Sequence, residues 1–199
     1  MEWLTSYKIP IGPWAKAGID WLRAHGGGVF DFIATVLQGV IDGILFALQA
    51  PNPLIVIAAI VALAFVLRRS IAFAALIAAG LLFIVNQGYW EETTETLALV
   101  VSSALICMAI GLPVGIAAAH RPRLYAGMRP ILDLMQTLPS FVYLIPAIIF
   151  FGIGMVPGLI ATAIFVVPAP IRLTYLGISS APKHLLEAGE AFGATGRQL

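Results

Sequence analysis

The chain has 199 residues, of which 60% are hydrophobic and only 11% charged, with a mean hydropathy of +0.98. A soluble domain carries roughly 25% charged residues, so this composition cannot build a water-exposed surface and the bilayer must be the main solvent. Eleven basic and ten acidic residues leave a net charge of +1, which excludes the concentrated basic face that a nucleic acid would need.

In chain order, residues 1 to 25 lack the unbroken apolar core and small-residue cleavage site of a signal peptide, so the mature chain is expected to begin near Met1. Trp3, Tyr7, Trp14 and Trp21 suit a segment at headgroup level. From 29 to 49, Phe30, Ile33, Leu37, Val40, Ile44 and Leu48 recur at three- and four-residue spacing, with Asp31, Thr35, Gln38 and Asp42 between them. This predicts an amphipathic helix, entered after Gly26 to Gly28 and ended by Pro51-Asn52-Pro53. It is expected along the membrane interface or against the bundle, within an N-terminal segment 1–50.

Five segments that are apolar all round follow, at about 51–67, 71–86, 96–119, 130–151 and 157–178, giving an all-α polytopic bundle over 51–178. The first two are short for a hydrocarbon core of about 30 Å at 1.5 Å per residue, which calls for local thinning or for snorkelling of Arg68 and Arg69. Short cytoplasmic loops collect Lys and Arg. Arg68 and Arg69, then Arg121, Arg123 and Arg129, then Lys183 and Arg197 therefore mark the inside, while Glu91, Glu92 and Glu95 mark the outside. This alternation puts the N-terminal segment outside, against the pull of Lys8, Lys16 and Arg23.

Gly111-Leu-Pro113-Val-Gly115 in the third span, Pro139 and Pro146 in the fourth, and Pro168 and Pro170 in the fifth are helix breakers. Each proline removes a backbone hydrogen bond that lipid cannot replace, so neighbouring helices or a water-lined cavity must satisfy the freed carbonyls. Side-by-side kinks suit a pathway that opens and closes.

Covalent chemistry finds no support. His25, His120 and His184 stand at no metal-ligand spacing, the lone Cys107 can form neither a disulfide framework nor a Cys-based metal site, and no G-x-S-x-G or H-E-x-x-H occurs. Asp133 is read as a cap or a partner for Arg129. Arg172 either snorkels or pairs with Asp133 across the bundle. No P-loop is present, so any nucleotide must bind another subunit.

The segment 179–199 reads as a cytoplasmic helix followed by a glycine break, with Ser180 placed to cap it, Pro182 in its first turn, and Leu185, Leu186, Gly189 and Phe192 on one face. Glu187-Ala188-Gly189, three residues and then Gly193 resemble the E-A-A-x-x-x-G loop of permease subunits of ATP-binding cassette importers, departing from it at Gly189, where the pattern has a second alanine. LDLMQTLPSFVYLIP at 132–146, FGIGMVPGLIAT at 151–162 and PIRLTYLGI at 170–178 are similar to the glycine betaine, proline betaine and choline permeases of that superfamily.

The resemblance implies an inner-membrane permease that itself needs no cofactor. ATP would bind a partner subunit, and Glu187, Ala188, Gly189 and Gly193 would dock on that cytoplasmic ATP-binding subunit. A second permease copy, membrane lipid and an extracytoplasmic solute-binding protein complete the implied partners, and the solute would be a quaternary ammonium osmolyte. Such permeases continue beyond the loop, so the chain is expected to be truncated. Gln136, Thr137, Ser140 and Tyr143 are the expected pathway lining. The alternatives are a permease for amino acids or another small solute, an ion-coupled secondary transporter, and a membrane scaffold. A secondary transporter predicts more membrane-embedded carboxylates and an internal repeat, neither of which is found.

Overall fold

A computed structural model describes residues 11–195. Trp3, Tyr7 and Lys8 at one end, Arg197 at the other, and the side chains of Lys183, Leu185 and Leu186 lie outside the described residues. The described residues are helical throughout, with no strand: α1 (Ile11–Gln49), α2 (Pro53–Arg68), α3 (Ile71–Asn86), α4 (Trp90–His120), α5 (Pro122–Thr137), α6 (Phe141–Phe151), α7 (Met155–Val166), α8 (Pro168–Ser179) and α9 (Lys183–Ala191). Residues 12–49, 90–120 and 155–179 are each long and apolar enough to cross a membrane, and the bent pair α5–α6 would make a fourth span.

The amphipathic helix expected from residue 29 begins much earlier, because Gly26 to Gly28 do not interrupt α1. The ring of Phe30 lies back over the preceding turn and fills the space at Gly26, where a Cβ would stand 2.7 Å from it. The inward stripe of α1 is centred on Ile41, fully buried in a core with Val156 and Leu159, and Leu37, Leu45, Leu99, Ile106, Phe151 and Met155 pack around them. Ile33, expected on that stripe, is exposed.

The partners of α1 fix its direction. Phe30 stacks on Phe150 and meets Phe151 edge-on, Ile41 packs on Val156 and Leu159, and the Gln49 side chain donates to Thr94 Oγ1 at 2.8 Å. Phe30 to Gln49 covers about 28 Å of helix. Along that length α1 packs against α4, α6 and α7.

Outboard of this core, α2 and α3 form a hairpin that packs chiefly on itself. Asn52 Oδ1 accepts from the Leu54 amide at 2.9 Å to start α2. The turn consists of Arg69, in the left-handed region at φ 49°, and Ser70, whose hydroxyl accepts from the Phe73 amide. The Arg68 guanidinium covers the Phe73 ring at 5.3 Å.

The expected fourth span, 130–151, is two helices meeting at 91°. The residue before a proline is pushed from helical to extended backbone, and Leu138, ahead of Pro139, adopts φ −77° and ψ 138° and ends α5 there. Pro146 leaves α6 unbroken. After α6 the chain reverses through Gly152 (φ 80°) and Gly154 (φ 159°), with Ile153 exposed at the tip. The expected fifth span divides into α7 and α8 at Val167, but both keep one course, because Pro168 and Pro170 fall in the first turn of α8, where a missing N–H costs little.

The closest helix contact joins α4 to α8. Pro113 does not break α4; the two glycines flanking it lie one turn apart and bring the backbones together. A Cβ at Gly111 would stand 2.6 Å from Pro170 Cγ, and one at Gly115 would stand 2.6 Å from Thr174 Cβ and 2.8 Å from the Ile171 carbonyl oxygen. Small residues continue this buried line through Ser103, Cys107 and Ala118, with the Cys107 thiol donating to the Ala163 carbonyl at 3.6 Å. Association in lipid relies on such close packing, since apolar burial gives little drive between helices.

Candidate functional site

Two groups of residues single themselves out: the break between α5 and α6, and the segment α9 to Gly193. Thr137 ends α5, and Ser140 and Tyr143 open α6, so residues expected on one continuous span instead surround a corner. A helix ending inside a bilayer leaves carbonyls that need donors. Two side chains supply them here: the Tyr143 hydroxyl donates to the Met135 carbonyl at 3.1 Å, and the Thr137 hydroxyl donates to the Leu134 carbonyl at 3.1 Å. Tyr143 thus ties the start of α6 to the end of α5 across the break. Gln136 is half-buried beside it. Ser140 lines a cleft of about 160 Å3 with Phe141, Leu144, Gly158, Ala161 and Thr162, between α6 and α7. The carbonyl end of α5 carries partial negative charge, and the Tyr143 hydroxyl and ring stand beside it.

At the other site, α8 ends at Ser179 and α9 begins at Lys183. Ser180, expected to cap α9, instead turns its hydroxyl back to donate to the Gly177 carbonyl, so it finishes α8. Glu187 and Ala188 are exposed, Gly189 is half-buried and Phe192 is 93% exposed. The helix closes as a Schellman-type turn: the Ala194 amide donates to the Gly189 carbonyl at 3.0 Å while Gly193 takes φ 80°. Nothing lies within 4 Å of a Cβ built at Gly193, so its left-handed backbone, and not crowding inside the chain, is what asks for glycine.

Between the two sites stand α8 and α5. Asp133 does not pair with Arg129 on its own helix, an order in which the basic residue precedes the acid and gains little. It takes the Arg172 guanidinium from α8 at 2.5 Å, the pair being half-exposed. The rings of Tyr125 on α5 and Tyr175 on α8 stack with centroids 3.6 Å apart and planes 6° apart. The sequence reading missed this stack, and it missed the seat of α8 on α4, although the Gly-x-x-x-Gly spacing at 111 and 115 could have pointed to the seat. Among the described residues, no group of three or more His, Cys, Asp or Glu is placed to hold a metal ion.

Comparison with known proteins bears on both sites. Residues 111–199 match the family described as binding-protein-dependent transport system inner membrane component. The chain is 43% identical over 192 residues to the glycine betaine transport system permease protein OpuAB of Bacillus subtilis, covering 96% of this chain and 67% of that protein. It is 42% identical over 195 residues to the glycine betaine/proline betaine transport system permease protein ProW of Escherichia coli, covering 96% of this chain and 54% of ProW. It is 39% identical over 190 residues to the glycine betaine/carnitine transport permease protein GbuB of Listeria monocytogenes, covering 94% of this chain and 67% of GbuB. The chain thus spans about two thirds of the length of two of these relatives and about half of the third.

Proposed function

We propose a specific role for a chain that belongs to the inner-membrane permease family of binding-protein-dependent transport systems: it moves glycine betaine and related quaternary ammonium solutes inward, driven by ATP hydrolysed on a separate subunit. The observation that carries this reading is the 43% identity to a glycine betaine permease over 96% of the chain. The α5–α6 corner fits it chemically. A trimethylammonium group cannot accept or donate a conventional hydrogen bond, and it is recognised by aromatic faces and diffuse negative charge. Tyr143 and the carbonyl end of α5 offer those features without a buried carboxylate that would trap the cation.

In this role the permease binds and reorients, and makes or breaks no bond. Glu187, Ala188, Gly189 and Gly193 form the surface that meets the ATP-binding subunit, where the exposed Glu187 carboxylate can pair with a basic residue and the small residues allow close approach. Closure of two ATP-binding subunits draws two copies of α9 together, and differential affinity of ATP for the closed state supplies the bias. An extracytoplasmic binding protein delivers the solute at the end that carries Glu91 and Glu92.

The test is uptake of radiolabelled glycine betaine, proline betaine and choline by cells whose other uptake systems are deleted, carrying this transporter. Betaine uptake that stops when the ATP-binding subunit is inactivated is the expected result. Uptake that persists without ATP hydrolysis would assign the chain to ion-coupled transport, and uptake of amino acids with none of betaine would overturn the solute class.

A further inference from the structure

The helix α8 is held on two sides that behave differently. Toward α4 its backbone is seated on Gly111 and Gly115, where no further approach is possible. Toward α5 it is held by side chains alone, through Arg172 to Asp133 and Tyr175 to Tyr125. Arg172 and Tyr175 are three residues apart and share a face of α8, whereas Tyr125 and Asp133 lie about 12 Å apart along α5. Two attachments so spaced fix an angle as well as a distance, since rotating α5 about either contact breaks the other.

This geometry matters because of what each helix leads to. Three residues after its end, α8 becomes α9. Four residues after Asp133, α5 stops at the corner held by Tyr143 and Thr137. A force on α9 enters α8, and α8 cannot slide deeper into α4 without a backbone clash. Toward the corner α8 connects by two routes: its direct continuation from α7, which borders Ser140, and the two side-chain contacts onto α5.

We infer that the Asp133–Arg172 ion pair and the Tyr125–Tyr175 stack form a two-point latch that positions α5 on α8, so that displacement of α9 is delivered to the α5–α6 corner. These are positioning residues that touch neither solute nor nucleotide, and the assignment rests on the transport reading above. The latch stays closed through the cycle; opening it lets the ATP-binding subunits turn over while α5 no longer follows α8.

The experiment uses the native transporter, purified with its partner subunits and reconstituted in liposomes, with glycine betaine uptake and ATP hydrolysis measured on the same preparation. Asp133→Asn and Arg172→Gln should each lower the number of solutes moved per ATP by about fivefold or more, the lower end of the range a coupling energy between two sites usually spans. Hydrolysis should persist and subunit assembly should remain normal. The exchanged pair Asp133→Arg with Arg172→Asp should recover most of the ratio, as an effect carried by their mutual contact requires. Tyr175→Ala gives a second, uncharged variant with the same expected loss, and Tyr175→Phe should rescue it. A wild-type ratio in both single charge variants, or an exchanged pair no better than either single change, overturns the latch and leaves the transport reading standing. Absence of ATP-driven uptake in the unsubstituted complex overturns both.

Discussion

Replacing Gly115 by alanine tests the seat of α8 on α4 most directly. The added Cβ would stand 2.6 Å from Thr174 Cβ and 2.8 Å from the Ile171 carbonyl oxygen, so α8 must retreat by about 0.8 Å before the shorter contact reaches an ordinary 3.4 Å. Neither obstacle is the free end of a flexible side chain, and rotamer changes cannot absorb the strain. Overpacking of this kind costs about 1–3 kcal/mol. Alanine also favours a helix over glycine by about 1 kcal/mol, and that gain must be removed from the comparison. Gly158→Ala removes it: the same atom is added to a helix, but its nearest neighbours are the Leu99 methyls at 4.0 Å. Unfolding free energies in mixed micelles titrated with SDS should place Gly115→Ala about 1–3 kcal/mol below Gly158→Ala. Thr174→Ala should not rescue Gly115→Ala, because it removes only the Cγ2 at 3.0 Å and leaves both closer atoms in place. Equal stability of the two glycine variants would refute the seat.

In a Cys107→Ser background, a cysteine at position 92 should label with an impermeant reagent in intact cells and cysteines at 69 and 123 should not; the opposite pattern reverses the topology. Gln49→Ala removes the 2.8 Å bond to Thr94, whose own hydroxyl keeps main-chain acceptors in α4, so thermal denaturation should show a loss of about 0.5–1.5 kcal/mol. A larger loss would mean that α1 is held at this point by more than the hydrogen bond. Gly193→Val forces a branched residue into φ 80° at a cost of about 1–3 kcal/mol, and should abolish stimulation of the ATPase by loaded binding protein while leaving insertion intact. Gly193→Asn, which tolerates that backbone, should retain most of the stimulation.

How much could be read from the sequence depended on whether the signal was local. Leu138 and Pro139 are adjacent, so a break there was legible, but its 91° angle depends on how α6 packs against α7 and on Tyr143 reaching back to Met135. The stripe of α1 was legible to within one residue: periodicity selected Leu37 and Ile44 but passed over Ile41, because the choice between neighbouring faces belongs to Val156 and Leu159, more than a hundred residues on. Gly111 and Gly115 flank a proline, and a reading that weighs helix breaking ahead of helix approach misassigns them. In sequence terms the pairing of Asp133 with Arg172 is one option beside snorkelling, and Asp133 goes to Arg129 as a cap or partner, because sequence proximity favours a partner on the same helix over one 39 residues away. The stack of Tyr125 on Tyr175 carried no signal of its own, since aromatic residues are common at membrane surfaces. The motif from Glu187 to Gly193 was legible only through its likeness to a family, for its physical content alone is a short amphipathic helix and a Schellman turn.

The contact between Gly111 and Pro170 also constrains how the protein is made. The two residues are separated by 59 positions in the chain, and synthesis at about 5–20 residues per second places roughly 3–12 s between the emergence of one and the other. During that interval α4 has left the ribosome with a furrow of small residues along one side and no helix to fill it. Lipid chains pack poorly into such a furrow, and an insertase or a neighbouring apolar helix can occupy it in the meantime. The final bundle therefore requires that whatever lies there be displaced when α8 arrives, and variants that slow α5 to α7 should lose yield at the membrane before they lose stability in the finished protein.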